Sequence, residues 1–272
     1  MPSLLRRQPD LALPVSIEIA GASLSLTVRH NSRAKRLVMR MAPGGTGVVV
    51  TAPKGMPART IRAFLERHRG WVEERVARSP TTVMIAPDAI IPLRGEPTRL
   101  VHRGGRLVTR LEPAGDDDAA LSAPIEIDAA LFGAGEGKAP IVRQQLLVGG
   151  DAAHFSRRVL DYLRREARSD LDAAVRRHAD RVGLEPRAIT IKDTTSRWGS
   201  CTADRRLAFS WRIIMAPPFV LDYLAAHEVA HFRQMNHGPD FWALCETLCP
   251  TMADGKAWLK RHGGALHAIA GG

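Results

Sequence analysis

His227-Glu228-Val229-Ala230-His231, followed by Phe232-Arg233-Gln234-Met235-Asn236-His237-Gly238-Pro239, is the stretch on which the reading of this chain turns. At about 100° per residue, positions i and i+4 lie roughly 40° apart around a helix and one turn along it, so the rings of His227 and His231 can reach one cation. Glu228 then stands beside that cation without being needed as a ligand. Zinc held by imidazole nitrogens at about 2.0 to 2.1 Å keeps an open position for water and lowers its pKa to about 7, and a neighbouring carboxylate can take the proton. Two ligands are too few, and the candidate third is His237. A continuous helix would turn it away. Asn236, Gly238 and Pro239 are stop and turn residues, so the spacing predicts a helix that ends near Met235 and a chain that folds His237 back towards the metal.

In a chain with 10 His, composition alone yields His-Glu-x-x-His about once in sixty such sequences, so the motif needs its surroundings. Phe219 to Ala226 reads as the apolar first turns of the same helix, with Pro217 and Pro218 at its start, where proline is tolerated. Upstream, Ile189 to Lys192 and Leu207 to Met215 read as strands; in the second, Phe209, Trp211 and Ile213 alternate with Ser210, Arg212 and Ile214, which implies an antiparallel sheet beside the metal helix. From His154 to Val182 a long amphipathic helix sets Phe155, Val159, Leu163, Ala167, Leu171, Ala174 or Val175 and Val182 on one stripe, with Arg and acidic residues mixed on the solvated face.

The N-terminal part follows a different period. Ile17 to Ile19, Leu24 to Val28, Leu37 to Met41 and Val48 to Thr51 alternate or are β-branched, and Gly21, Pro43, Gly44 and Gly45 break them, as expected of antiparallel strands. Pro57 to Arg78 supplies one covering helix through Ile61, Phe64, Leu65, His68, Trp71, Val72 and Val76. Ile90 to Leu111 reads as further short strands, and Ala114 to Asp118 and Ala134 to Pro140 as loops. The expected fold class is therefore α+β, with a β-rich basic region over 15–135 and a second domain over 140–265.

At 272 residues, with 45% hydrophobic and 25% charged, the chain has ordinary globular composition. Met1 to Pro14 lacks an apolar block of signal-peptide length, and no run approaches the ~18 apolar residues of a membrane span, so the expectation is a cytoplasmic protein with no membrane contact. The 3 Cys indicate no disulfide framework. Cys245 and Cys249 read as buried thiols on an apolar helix face and Cys201 as structural. The net charge of +11 is concentrated: no acidic residue lies between Glu18 and Glu66, an interval holding Arg29, Arg33, Lys35, Arg36, Arg40, Lys54, Arg59 and Arg62. Such a block is either a solvated face or a nonspecific contact for nucleic acid; with Phe64 its sole aromatic, base stacking is not supported.

Together, Ser196-Arg197-Trp198-Gly199-Ser200-Cys201, Phe209-Ser210-Trp211-Arg212, His227 to His231, Asn236-His237 and Phe241-Trp242 resemble the YgjP-like zinc metallopeptidase family, related to the SprT and Spartan-type proteases. Arg33 to Arg40, Val48 to Pro53, His68 to Val72 and Pro92 to Gly95 resemble the N-terminal half of that family. The likeness runs from about Val28 to about Leu259 and is poor from His102 to Pro140. It implies a gluzincin-like catalytic domain, an active-site helix beside an antiparallel sheet, with His227, His231 and His237 as zinc ligands and Glu228 as general base. It also implies that a strand including Ser210 to Ile214 pairs with extended substrate. Ser210 departs from the family, which more often has Asn there, and Gly238-Pro239-Asp240 is closer to the SprT version.

Two functions are open to such a chain. One is a Zn2+-dependent peptidase that cuts peptide or protein substrates, acting near nucleic acid, through a zinc-bound water activated by Glu228. The other is a basic, nucleic-acid-associated binding module whose zinc site is structural or inactive. A structural zinc site is normally closed by four protein ligands and has no use for Glu228, so three ligands and an adjacent carboxylate favour the enzyme.

Overall fold

The computed structural model describes residues 13–19, 22–42, 47–77, 82–115, 141–194 and 197–271. Gly21, Pro43, Gly44, Gly45, Ser196, most of the 114–118 loop and all of the 134–140 loop lie outside the described residues. The chain divides into two compact units, Met1–Ser79 and Pro80–Gly272. The division falls well before the 135–140 boundary expected above, because strands on both sides of that boundary share one sheet. Among the described residues no helix is long and apolar enough to cross a membrane.

In the first unit, β1 (Ser16–Ile19), β2 (Ala22–Asn31), β3 (Val38–Met41) and β4 (Gly47–Pro53) form a sheet of order β1-β2-β4-β3. Two pairings are antiparallel, as the alternation predicts, but β2 and β4 run parallel, so the sheet is mixed. The reason is topological: β3 pairs only with β4, and β4 inserts between it and β2. The expected single helix is two, α1 (Ala58–Arg67) and α2 (Arg69–Ala77). They part at His68, whose Nδ1 hydrogen-bonds the Phe64 carbonyl at 2.8 Å and whose φ of −106° leaves the helical region. Ile61, Leu65 and Val72 of the helices bury against Ile19, Leu24, Leu26, Val48, Val50 and Ala52 of the sheet.

The second unit is α+β around a larger core. Its four-stranded sheet, β6-β7-β9-β8, combines β6 (Ile90–Leu93), β7 (Glu96–His102), β8 (Arg110–Pro113) and β9 (Gln144–Val148). Short β5 (Val83–Met84) pairs parallel with β13 (Ile269–Ala270) at the far end of the chain. Helix α3 (Phe155–Val182) buries every residue of the predicted stripe, together with Tyr162 and His178. The site-bearing layer follows: a sheet of order β10-β12-β11, from β10 (Ala188–Lys192), β11 (Gly199–Cys201) and β12 (Arg206–Ser210), and helices α4 (Pro218–Ala230), α5 (Pro239–Leu248) and α6 (Met252–His267).

The strand expected over Leu207 to Met215 ends at Ser210, and Trp211–Met215 is a 3-10 helix. Trp211, Ile213, Ile214, Met215 and Ala216 are all buried, a pattern that a half-exposed strand cannot satisfy. The curl also directs the Arg212 guanidinium onto the carbonyls of Leu266 and Ile269 and the carboxylate of Asp193. The β6–β7 hairpin clamps this segment from the other side. Its turn residues Arg94 and Gly95 have φ of 53° and 78°, and their N–H groups donate to Ile214 and Met215. Glycine is needed at 95, where the left-handed φ coincides with Pro217 3.0 Å from the position of a Cβ. The Arg94 side chain donates to Glu166 and Asp170 of α3. Pro217 and Pro218 then start α4, so the entry of the metal-motif helix is fixed on two sides.

Candidate metal centre

Helix α4 is exposed at Pro218 and Phe219 and largely buried from Val220 onward, with Val220, Leu221, Leu224, Ala225, Ala226, Val229 and Ala230 in the core, as expected of a central helix. It stops sooner than the sequence suggests. The last helical residue is Ala230, His231 is the cap, and turn hydrogen bonds from Phe232 and Arg233 to Val229 and Ala230 follow. The bend four residues ahead of Met235 shortens the path that brings His237 back, and Gly238 at once opens α5.

The ring nitrogens of His227, His231 and His237 lie within 4.8 Å of one another. His227 Nε2 and His237 Nε2 are 3.1 Å apart; two nitrogens bound to one tetrahedral ion at about 2.0 to 2.1 Å stand about 3.3 Å apart. His231 Nδ1 lies 2.9 Å from the Gln234 carbonyl. A carbonyl only accepts, so that nitrogen carries the proton and Nε2 keeps its lone pair for a metal. Burial, then the neighbouring imidazoles and Lys256, push the His227 pKa down to about 4, which leaves the ring neutral and able to ligate at neutral pH. Phe241, fully buried, touches all three rings at centroid distances of 4.9, 4.6 and 4.6 Å. It fixes their rotamers from below.

Glu228 is 4% exposed. Burial pushes its carboxyl up to about 8, against the opposing positive charge of Arg197. Its Oε2, and Nδ1 of His227, are buried with no hydrogen-bond partner among the described residues. Orphaned buried polar atoms are costly; Glu228 lines one cavity with His227, whose Nε2 faces that of His237, an arrangement that fits a cation. Gly199 of β11 lies against the Glu228 carboxylate, and a Cβ there would overlap Oε1.

A cavity of about 270 Å³ opens beside these groups, lined by Trp198, Gly199, Tyr223, Leu224, His227, Glu228, Lys256 and Leu259. The Tyr223 ring packs edge-on to His227 at 5.9 Å, and burial pushes its hydroxyl up to about 12, so it stays protonated. Cys201 is pushed up to about 11 by burial, a thiol and not a nucleophile. Strand β11 is an edge of its sheet. Ser210 N donates to Trp198 O and Thr202 N to Arg206 O, which by the two-residue alternation turns the peptide groups of Gly199 and Cys201 to the open side.

Of the residues singled out in the sequence, His227, His231 and His237 cluster, and Glu228 lines one cavity with His227. Sequence reading gives no role to Gly199, Lys256 or Leu259 and does not predict α6. Gly255 and Gly263 weaken the helical signal of α6, yet each sits where a Cβ would meet Tyr223 or Trp198; two glycines eight residues apart on one face were the available sign of close packing.

The family described as YgjP-like, metallopeptidase domain, matches residues 35–127 and 137–262 of the chain. No curated protein and no solved structure matches it.

Proposed function

The chain belongs to the YgjP-like metallopeptidase family, and on that premise we propose that it is a zinc-dependent peptidase whose ion is held by His227, His231 and His237. When bound, zinc supplies Lewis acidity that polarises a peptide carbonyl and lowers the pKa of a water to about 7. Glu228 is the proton carrier: it takes a proton from the attacking water and returns it to the departing amine. Its carboxyl near 8 supports both transfers close to neutral pH, with the cation's field favouring the ionised form at the start. The observation that carries this reading is the buried Glu228 carboxylate, unpartnered at Oε2, beside three converging imidazoles.

Substrate binds as an added strand along β11, not along Ser210 to Ile214, because β12 ends at Ser210 and Trp211–Met215 is a 3-10 helix. The outward peptide groups of Gly199 and Cys201 support main-chain pairing there, and the adjacent cavity receives a side chain. Stripping the protein with a chelator should abolish hydrolysis of an unfolded protein and zinc should restore it; hydrolysis that survives complete metal removal would refute the reading.

The first unit supports a second role. Paired residues share a face, so the register places Arg29, Thr51 and Val38 in one row and Thr27, Val49 and Arg40 in the next, on the side of the sheet away from the core. Among the described residues Arg29, Arg36 and Arg40 have no acidic partner. We propose nonspecific contact with the phosphates of nucleic acid through this face. Unchanged retention on a polyanion after charge reversal at Arg29, Arg36 and Arg40 would reject it.

A further inference from the structure

Most basic side chains around α3 are spoken for. Arg94 pairs with Glu166 and Asp170, Arg168 with Asp172, Arg177 with Asp222 and Arg212 with Asp193. Lys256, on the first turns of α6, differs: among the described residues it has no acidic partner, and its ammonium lies 4.1 Å from the centre of the Trp242 ring. That ring is 5.6 Å from the ring of His237 and 5.9 Å from that of His227. Laid end to end, the 4.1 and 5.9 Å steps keep the ammonium within about 10 Å of His227.

Lys256 also lines the cavity beside Glu228, whose other walls include the apolar Trp198, Leu224 and Leu259. A cation resting on an aromatic face is held in place through its ring contact while its N–H donors remain free. The result is a positive charge at the rim of a largely apolar recess, next to the proposed reaction centre, with Glu228 in the same cavity and no ion-pair partner among the described residues.

We propose that Lys256 is a carboxylate-binding subsite, which selects peptides bearing a carboxylate within about three residues of the bond to be cut, the span that 10 Å of extended chain covers. The proposal rests on the peptidase reading above. The carboxylate comes either from an Asp or Glu side chain of the substrate or from its free C terminus, and the chemistry of recognition is the same. Trp198, Leu224 and Leu259 take the apolar part of the same segment, so Lys256 adds selectivity and not chemistry.

The test is binding, measured so that catalysis does not enter. The full chain carrying Glu228→Gln and loaded with zinc is titrated, by fluorescence anisotropy, into labelled alanine hexapeptides. One amidated pair carries a central Glu or Gln; a second all-alanine pair ends in a free carboxylate or an amide. The acidic member of at least one pair should bind about fivefold tighter, the range of a partly exposed ion pair. Whichever pair shows the preference identifies the source of the carboxylate. Lys256→Arg should keep the preference, Lys256→Met remove it and Lys256→Glu invert it. Equal binding within both pairs, no binding of the acidic peptides, or a preference that persists in Lys256→Glu overturns the proposal. Hydrolysis by the chain without Glu228→Gln is followed in parallel; its absence would count against the peptidase reading and leave the binding comparison intact.

Discussion

Gly199 of β11 and Glu228 of α4 are packed so closely that a Cβ on Gly199 would occupy the space of the Glu228 carboxylate oxygen Oε1. A single hydrogen in place of a methyl group therefore sets where the proposed proton carrier sits. It also couples the proposed substrate edge to the proposed reaction centre, because the Gly199 peptide faces the open side of the same strand.

Gly199→Ala should push the Glu228 side chain out of line while leaving the three imidazoles untouched. A displacement of about 1 Å of a reacting group costs on the order of 10²-fold in rate. The expected outcome is a fall in kcat of that order with zinc content unchanged. An unchanged kcat, or loss of zinc with loss of activity, would show that the contact does not position Glu228.

Phe241→Ala removes a ring that touches all three histidines. A buried aromatic cut back to alanine costs about 3 to 5 kcal/mol, so a lower denaturant midpoint is expected. The same substitution should weaken zinc binding, because the ligand rings lose the surface that holds their rotamers. Phe241→Leu should recover most of the stability and less of the zinc affinity. Equal zinc affinity in all three proteins would contradict this role.

Asp222 gives a pH dependence with a definite sign. Burial raises its pKa, and the hydrogen bonds from His178 and Arg177 outweigh it, holding the carboxyl at about 2. The ordinary aspartate value is about 3.9. A pKa depressed in the folded state contributes stability that is fully present above about 4 and lost as pH falls towards 2, here about 2 kcal/mol. Wild type and Asp222→Asn should therefore differ in unfolding free energy by about that much at pH 6 and converge near pH 2. A difference that is constant with pH would place the effect in packing alone.

The metal motif was legible because its information is local. His227 and His231 are one turn apart, and Asn236, Gly238 and Pro239 announce the reversal that returns His237; the core stripe of α3 was legible for the same reason. What the sequence did not disclose depends on partners distant in the chain. Trp211 to Met215 alternate well enough for a strand, but the chain curls because Arg212 binds carbonyls more than fifty residues later and the Arg94-Gly95 turn grips Ile214 and Met215. The parallel β2–β4 pairing and the sheet joining β7 to β9 across residues 103–143 are likewise choices of topology and not of periodicity. Lys256 had no motif to mark it; only the fold of α6 against α4 brings it to the cavity.

The most direct measurement is zinc content and hydrolysis of an unfolded protein by wild type and Glu228→Gln, prepared side by side. Both proteins should hold one equivalent of zinc, and the substitution should lower the rate by about 10² to 10⁴, the usual worth of a general base. Hydrolysis by Glu228→Gln at the wild-type rate, or failure of wild type to hold zinc, would contradict the assignment of a metallopeptidase centre built on His227, Glu228, His231 and His237.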